Sequence, residues 1–180
     1  MNIIECSPFY NENRLLSLKV SEGESWVNRF SISESDYTFK YGFKGFLLNH
    51  TSDAIDHRKI DGEKYFSQSY FGLKRKPPFF GMKSSAWRNE AFQRNYACES
   101  VTLDDEDIVI LSDVDEIIDS RHAADLIQLV KKHKIITVKL HFTMFYLNMF
   151  SENWHEVWPG SPPDYSYRVF LIEGKYFKKN

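Results

Sequence analysis

Cysteine is scarce: the 180 residues hold Cys6 and Cys98 and no others. Two thiols cannot build the disulfide framework of a small secreted scaffold, and neither stands in a Cys/His cluster with zinc-site spacing. They read as reduced, buried thiols. Long apolar runs are missing as well. Nothing approaches the roughly 18 apolar residues of a membrane span, and Met1 leads almost directly into Ile3-Ile4 with no signal-peptide pattern. The expectation is a cytoplasmic chain without a membrane span. An excess of one charge is absent too. Lys and Arg number 23 and Asp and Glu 25, a formal net charge of −2, whereas a nucleic-acid binder carries a basic excess. There is no internal repeat.

What is plentiful is aromatic side chain, at 16% of residues. Such rings fill cores, and they also make stacking platforms for bases and sugars. The length fits one domain, residues 1–180, with a sizeable core. Ile3-Ile4-Glu5-Cys6 reads as a first strand, Glu12 to Val20 as a helix with Leu15, Leu16 and Leu18, and Val27 to Ser33 as an alternating second strand. Strand, helix, strand opens a βαβ unit. Residues 36–83 are irregular and punctuated by Gly and Pro, the pattern of a long excursion, a lid or a solvated loop. A helix is expected over Ser85 to Glu99, with Trp87, Ala91, Phe92 and Tyr96 on its apolar face. Another is expected over Arg121 to Lys134, with a stripe of Ala124, Ile127, Leu129 and Val130. Ile135 to Phe142 and Tyr167 to Ile172 read as strands. Together these predict an α/β fold with a mostly parallel central sheet.

The chemistry concentrates after Ile108-Val109-Ile110-Leu111. A continuous apolar, mostly β-branched run reads as a buried parallel strand. It ends in Ser112-Asp113-Val114-Asp115-Glu116, and ligands of open α/β sheets bind at the carboxyl ends of strands. In an extended segment Asp113 and Asp115 point to the same side. Converging carboxylates repel unless a cation joins them, and Mn²⁺ or Mg²⁺ suits such oxygen ligands while leaving positions for phosphate oxygens. Asp115 is expected to bind the metal directly. Asp113 would join it at the metal, bind a metal-bound water or bind the ribose, and Glu116 would orient this shell. An Asp-x-Asp alone also describes a solvated acidic turn; its place at a strand end favours the metal reading.

Four segments in order resemble glycosyltransferase family 17, known for the β-1,4-mannosyl-glycoprotein N-acetylglucosaminyltransferases. They are Glu5 to Glu12, Ser33 to Phe39, Asn89 to Asn95 and Asp107 to Ile117, with weaker similarity through Phe145 to Asn148 and Trp158-Pro159-Gly160. Asn89 stands where the family usually has Arg, Ile118 where it usually has Pro, and members usually continue beyond the position of Asn180. The resemblance implies a GT-A fold, a UDP-sugar donor carrying N-acetylglucosamine, a glycan or other hydroxyl acceptor, and inversion at the anomeric carbon. It also implies that Pro8 and Phe9 border the uracil, that Glu34 faces the nucleoside, and that Arg94 pairs with the diphosphate. Inversion needs a general base. Glu152, Glu156 and Asp164 are candidates, and Glu156, between Trp154 and Trp158, is the one named here.

Two other readings compete. Phosphatases of the haloacid dehalogenase type also place Asp-x-Asp after an apolar strand, with the first Asp as nucleophile. Their motif lies near the start of the domain, whereas only 65 residues follow Asp115 here. The second is a non-catalytic module that keeps the donor pocket of a transferase.

Overall fold

The computed structural model describes residues 1–50, 52–66, 85–99, 101–141 and 165–177. Six strands form one sheet: β1 (Ile3–Phe9), β2 (Arg29–Ser35), β3 (Ile55–Ile60), β4 (Ile108–Leu111), β5 (Ile135–His141) and β6 (Tyr165–Glu173). Their order is β3-β2-β1-β4-β6-β5. The β3, β2, β1 and β4 strands run parallel, and β6 is antiparallel to both β4 and β5. The helices are α1 (Asn13–Gly23), α2 (Gly62–Tyr65), α3 (Ser85–Glu99), α4 (Ala123–His133) and α5 (Gly174–Phe177), with a 3-10 turn at Ser120–His122.

The apolar run at β4 is interior as expected, held between β1 and β6. Ile108, Val109 and Ile110 are almost wholly enclosed, each worth about 1.5–3 kcal/mol relative to exposure. One face of the sheet is conventional. Ile3, Phe9, Phe30, Ile32, Ile108 and Ile110 pack with Leu16 and Val20 of α1 and Val130 of α4. The α4 stripe is shifted from the expected one. Ala123 and Val130 are buried, Leu126 and Ile127 pack partly against the core, and Ala124 and Leu129 face solvent.

The opposite face departs further from expectation. The buried residues of α3 are Asn89, Gln93 and Ala97, while Trp87 is 56% exposed. The sheet beneath explains why. Ser31 and Ser33 of β2 donate to the carbonyls of Ala97 and Gln93 at 2.6 and 2.7 Å. Gln93 Nε2 donates to the carbonyls of Phe9 and Ser33 at 2.8 and 2.9 Å. Asn89 Nδ2 reaches the carbonyl of Phe39 at 2.9 Å. The helix is stitched down by hydrogen bonds, so its expected aromatic face is turned aside. Phe92 and Tyr96 instead stack on each other and, through Phe92, on Tyr65.

The strands differ from expectation in two instructive places. β2 begins at Arg29 rather than Val27, because the Val27 amide still closes the end of α1 by donating to Gly23 at 2.8 Å. The irregular stretch 36–83 contains a regular strand, β3, with the sequence Ile-Asp-His-Arg-Lys-Ile. It lies at the sheet edge, where charged side chains are tolerated and discourage further pairing.

Candidate active site

The cleft opens at the carboxyl ends of β1 and β4. Pro8, Phe9 and Tyr10 come from the end of β1, Glu12 from the start of α1, Glu90 and Arg94 from α3, and Asp113, Val114 and Asp115 from the turn after β4, with Phe39 alongside. Five residues singled out in the sequence therefore meet: Pro8, Phe9, Arg94, Asp113 and Asp115.

Asp113 and Asp115 converge for a different reason than expected. The segment is a turn, not an extended strand: the Glu116 amide donates to the Asp113 carbonyl at 3.0 Å. Val114 points inward and joins the core, 3% exposed, which leaves the two flanking carboxylates on the cleft side. Glu116 closes the turn, its Oε2 accepting from the Asp113 amide at 2.8 Å. Desolvation, then the charge of Asp113, pushes the Asp115 carboxyl up from its ordinary value. Burial raises Glu116 too, opposed by its bond to the Asp113 amide and reinforced by both aspartates.

Arg94 faces this acidic turn. Its Nη2 donates to Asp113 Oδ2 at 2.9 Å and to Glu90 Oε1 at 3.0 Å. Its Nη1 lies 2.5 Å from Asp113 Oδ1, so the guanidinium engages both oxygens of that carboxylate. Desolvation alone would lower the guanidinium's pKa, but the hydrogen bond and charge of Asp113, then those of Glu90, raise it above its ordinary value. Four carboxylates and one guanidinium line the cleft. That balance favours a cation and is hostile to a bare anion.

Glu34 is not brought here. It is fully enclosed at the end of β2. Its carboxylate accepts from the amides of Leu47 and Leu48 and from Lys44 Nζ, and His57 Nε2 lies 2.9 Å away. It organises the loop after β2, where Gly45 takes a positive φ of 74°. The base candidates Glu152, Glu156 and Asp164 lie outside the described residues.

Tyr10, Glu12, Phe39 and Glu90 line the cleft without having been assigned a role from the sequence. Glu12 had a usable signal, since an acidic residue just before a helix shortly after a strand end sits beside the strand-end site. Here it caps the turn, accepting from the Tyr10 and Asn11 amides at 2.9 and 3.0 Å. Glu90 stands one turn before Arg94, the spacing of a helical ion pair.

The described parts define an α/β protein with an acidic cleft at the carboxyl edge of its parallel strands. The profile of glycosyltransferase family 17 matches residues 2–167, and the chain belongs to that family. The match supports a glycosyltransferase, with a sugar donor and an acceptor, over a phosphatase. No curated protein and no solved structure gives a match. No helix among the described residues is long and apolar enough to cross a membrane.

Proposed function

We propose that the chain is a metal-dependent transferase of GT-A type that moves N-acetylglucosamine from UDP-GlcNAc to a glycan or other hydroxyl acceptor, with inversion. The observation that carries this reading is the cleft's charge: Asp113 and Asp115 side by side at the carboxyl end of β4, in a lining of four carboxylates and one guanidinium. The donor set fits Mn²⁺ or Mg²⁺ in part. Among the described residues no cluster of three or more His, Cys, Asp or Glu forms a complete metal cage, so Asp113 and Asp115 would hold the ion together with diphosphate oxygens.

When bound, the ion supplies positive charge where the departing diphosphate gains negative charge. Arg94 adds a second, fixed positive charge to the same region. Glu116 keeps the turn closed through the Asp113 amide. Pro8 and Phe9 border the cleft on the side the family resemblance assigns to uracil. Glu156, with Glu152 and Asp164 as alternatives, is the proposed base.

Calorimetry with UDP separates the readings. Asp115→Asn should weaken UDP binding in Mn²⁺, change little in EDTA, and reduce transfer about 10²–10³-fold. Equal UDP affinity and equal activity in saturating Mn²⁺ would sink the metal site. Tighter binding of a GDP- or CMP-sugar than of UDP-GlcNAc would overturn the donor. UDP-GlcNAc binding without transfer or hydrolysis would mark a non-catalytic module.

A further inference from the structure

A second set of buried charges lies directly behind the Asp113–Glu116 turn. Lys19 of α1 is 2% exposed and Glu5 of β1 4%. Neither lines the cleft. An ammonium has three donors and no acceptor, and Lys19 uses all of them. It donates to Glu5 Oε1, to Ser112 Oγ at 2.9 Å and to the Glu116 carbonyl at 2.8 Å. Ser112 donates in turn to Glu5 Oε1 at 2.6 Å, with Ser7 Oγ 3.2 Å away.

Two of these acceptors bracket the turn. Ser112 immediately precedes Asp113, and Glu116 immediately follows Asp115. A buried ion pair is weak evidence for stability, since apolar residues of similar volume often serve as well or better. The neighbours on α1, Leu16 and Val20, show that apolar side chains fit this layer. What an apolar residue at position 19 lacks is a donor for the turn. That turn carries carboxylates that repel one another. Its internal ties are the Glu116 amide to the Asp113 carbonyl and the Asp113 amide to Glu116 Oε2.

We propose that Lys19 is a positioning residue: by gripping Ser112 and the Glu116 carbonyl together, it holds the turn so that Asp113 and Asp115 face the cleft as a pair. The consequence for donor binding rests on the reading of the cleft given above. The grip itself does not.

The test pairs Lys19→Met with Glu5→Gln, so that neither buried group is left charged without its partner. Amide hydrogen exchange on the free protein reports the turn, and calorimetry with UDP and Mn²⁺ reports the cleft. In the double variant the Asp113 and Glu116 amides should exchange about tenfold faster or more, while those of Phe30 to Ser33 hold their rates. UDP affinity in Mn²⁺ should fall about tenfold. Ser112→Ala removes one contact of the grip without touching a charge. It should move the same two amides in the same direction by a smaller factor, and it decides the matter if the double variant does not fold. Unchanged exchange at Asp113 and Glu116 in the folded variants overturns the proposal. Faster exchange there in a protein whose parent does not bind UDP upholds the grip and removes the donor reading instead.

Discussion

Glu34 and the Asp113–Asp115 pair both lie at the carboxyl ends of parallel strands, with β1 between β2 and β4. The two sites are opposites. Glu34 is wholly enclosed, and its oxygens are met by two amides, an ammonium and an imidazole. Asp113 is paired with the Arg94 guanidinium, while Asp115 beside it has no such partner among the described residues and is opposed by the charge of Asp113. A carboxylate whose bonds are all made inside the fold belongs to the architecture. One whose bonds are unfinished has chemistry left over for a ligand.

That contrast can be broken first at Glu34. Glu34→Ala leaves Lys44 and two loop amides without their acceptor, and removing one partner of a buried pair costs about 3–5 kcal/mol. The melting temperature should fall by roughly 10 °C. A variant melting within a degree of the parent would show that the closed site does not hold the loop.

Asp107, just before β4, gives a second test of a completed site. It accepts from the amides of Asn2 and Asp104 at 2.6 and 2.8 Å. Desolvation opposes its ionisation, but those amide bonds win and lower its pKa. A lowered native pKa stabilises the fold above the unfolded carboxylate value, near 4, and that gain is lost as pH falls through the native value. Asp107→Asn should therefore cost about 1–2 kcal/mol at pH 7. In urea titrations the two proteins should converge as the pH drops below 4. A gap independent of pH would show that charge is not the cause.

The smallest effect has the opposite sign. Asp115 has a raised native pKa, so its ionised form weighs against folding at neutral pH. The burden lifts as pH falls through that raised value. Without ligand, Asp115→Asn should melt about 1–2 °C higher than the parent at pH 7, a modest gain because the residue is exposed and screened. The gain should disappear in acid. A variant melting lower than its parent at pH 7 would place Asp115 among the structural carboxylates, with Glu34.

These differences explain what was legible in the sequence. The run Ile108 to Leu111 announced a buried strand because burial on both faces leaves only apolar side chains. The acidic pair after it was legible through position. The face under α3 was not. Asn89, Gln93, Ser31 and Ser33 are buried by donating to backbone carbonyls of α3, of the strands and of Phe39, and hydropathy registers each of them as solvent-facing. β3 was missed because an edge strand rich in charge does not show apolar alternation. Glu34 was assigned to the nucleoside through the family resemblance alone, whereas the donors that meet it come from Lys44, Leu47, Leu48 and His57, a loop and an edge strand not read as regular.

The strand order has a consequence for the birth of the protein. Of the described strands β1 is synthesised before the others, yet one of its two partners, β4, pairs Ile3 with Ile108 and Cys6 with Leu111. The centre of the sheet thus stays half-flanked until more than a hundred further residues have been made. Contacts so distant in sequence form slowly, because a long loop must close before they return any free energy. β1 to β3 and α1 can assemble early, but Asp113 and Asp115 follow β4 and cannot take their places before it docks. The cleft is among the last parts of this region to exist on the ribosome, and until then the open side of β1 is a strand edge that a chaperone or a second nascent chain can meet.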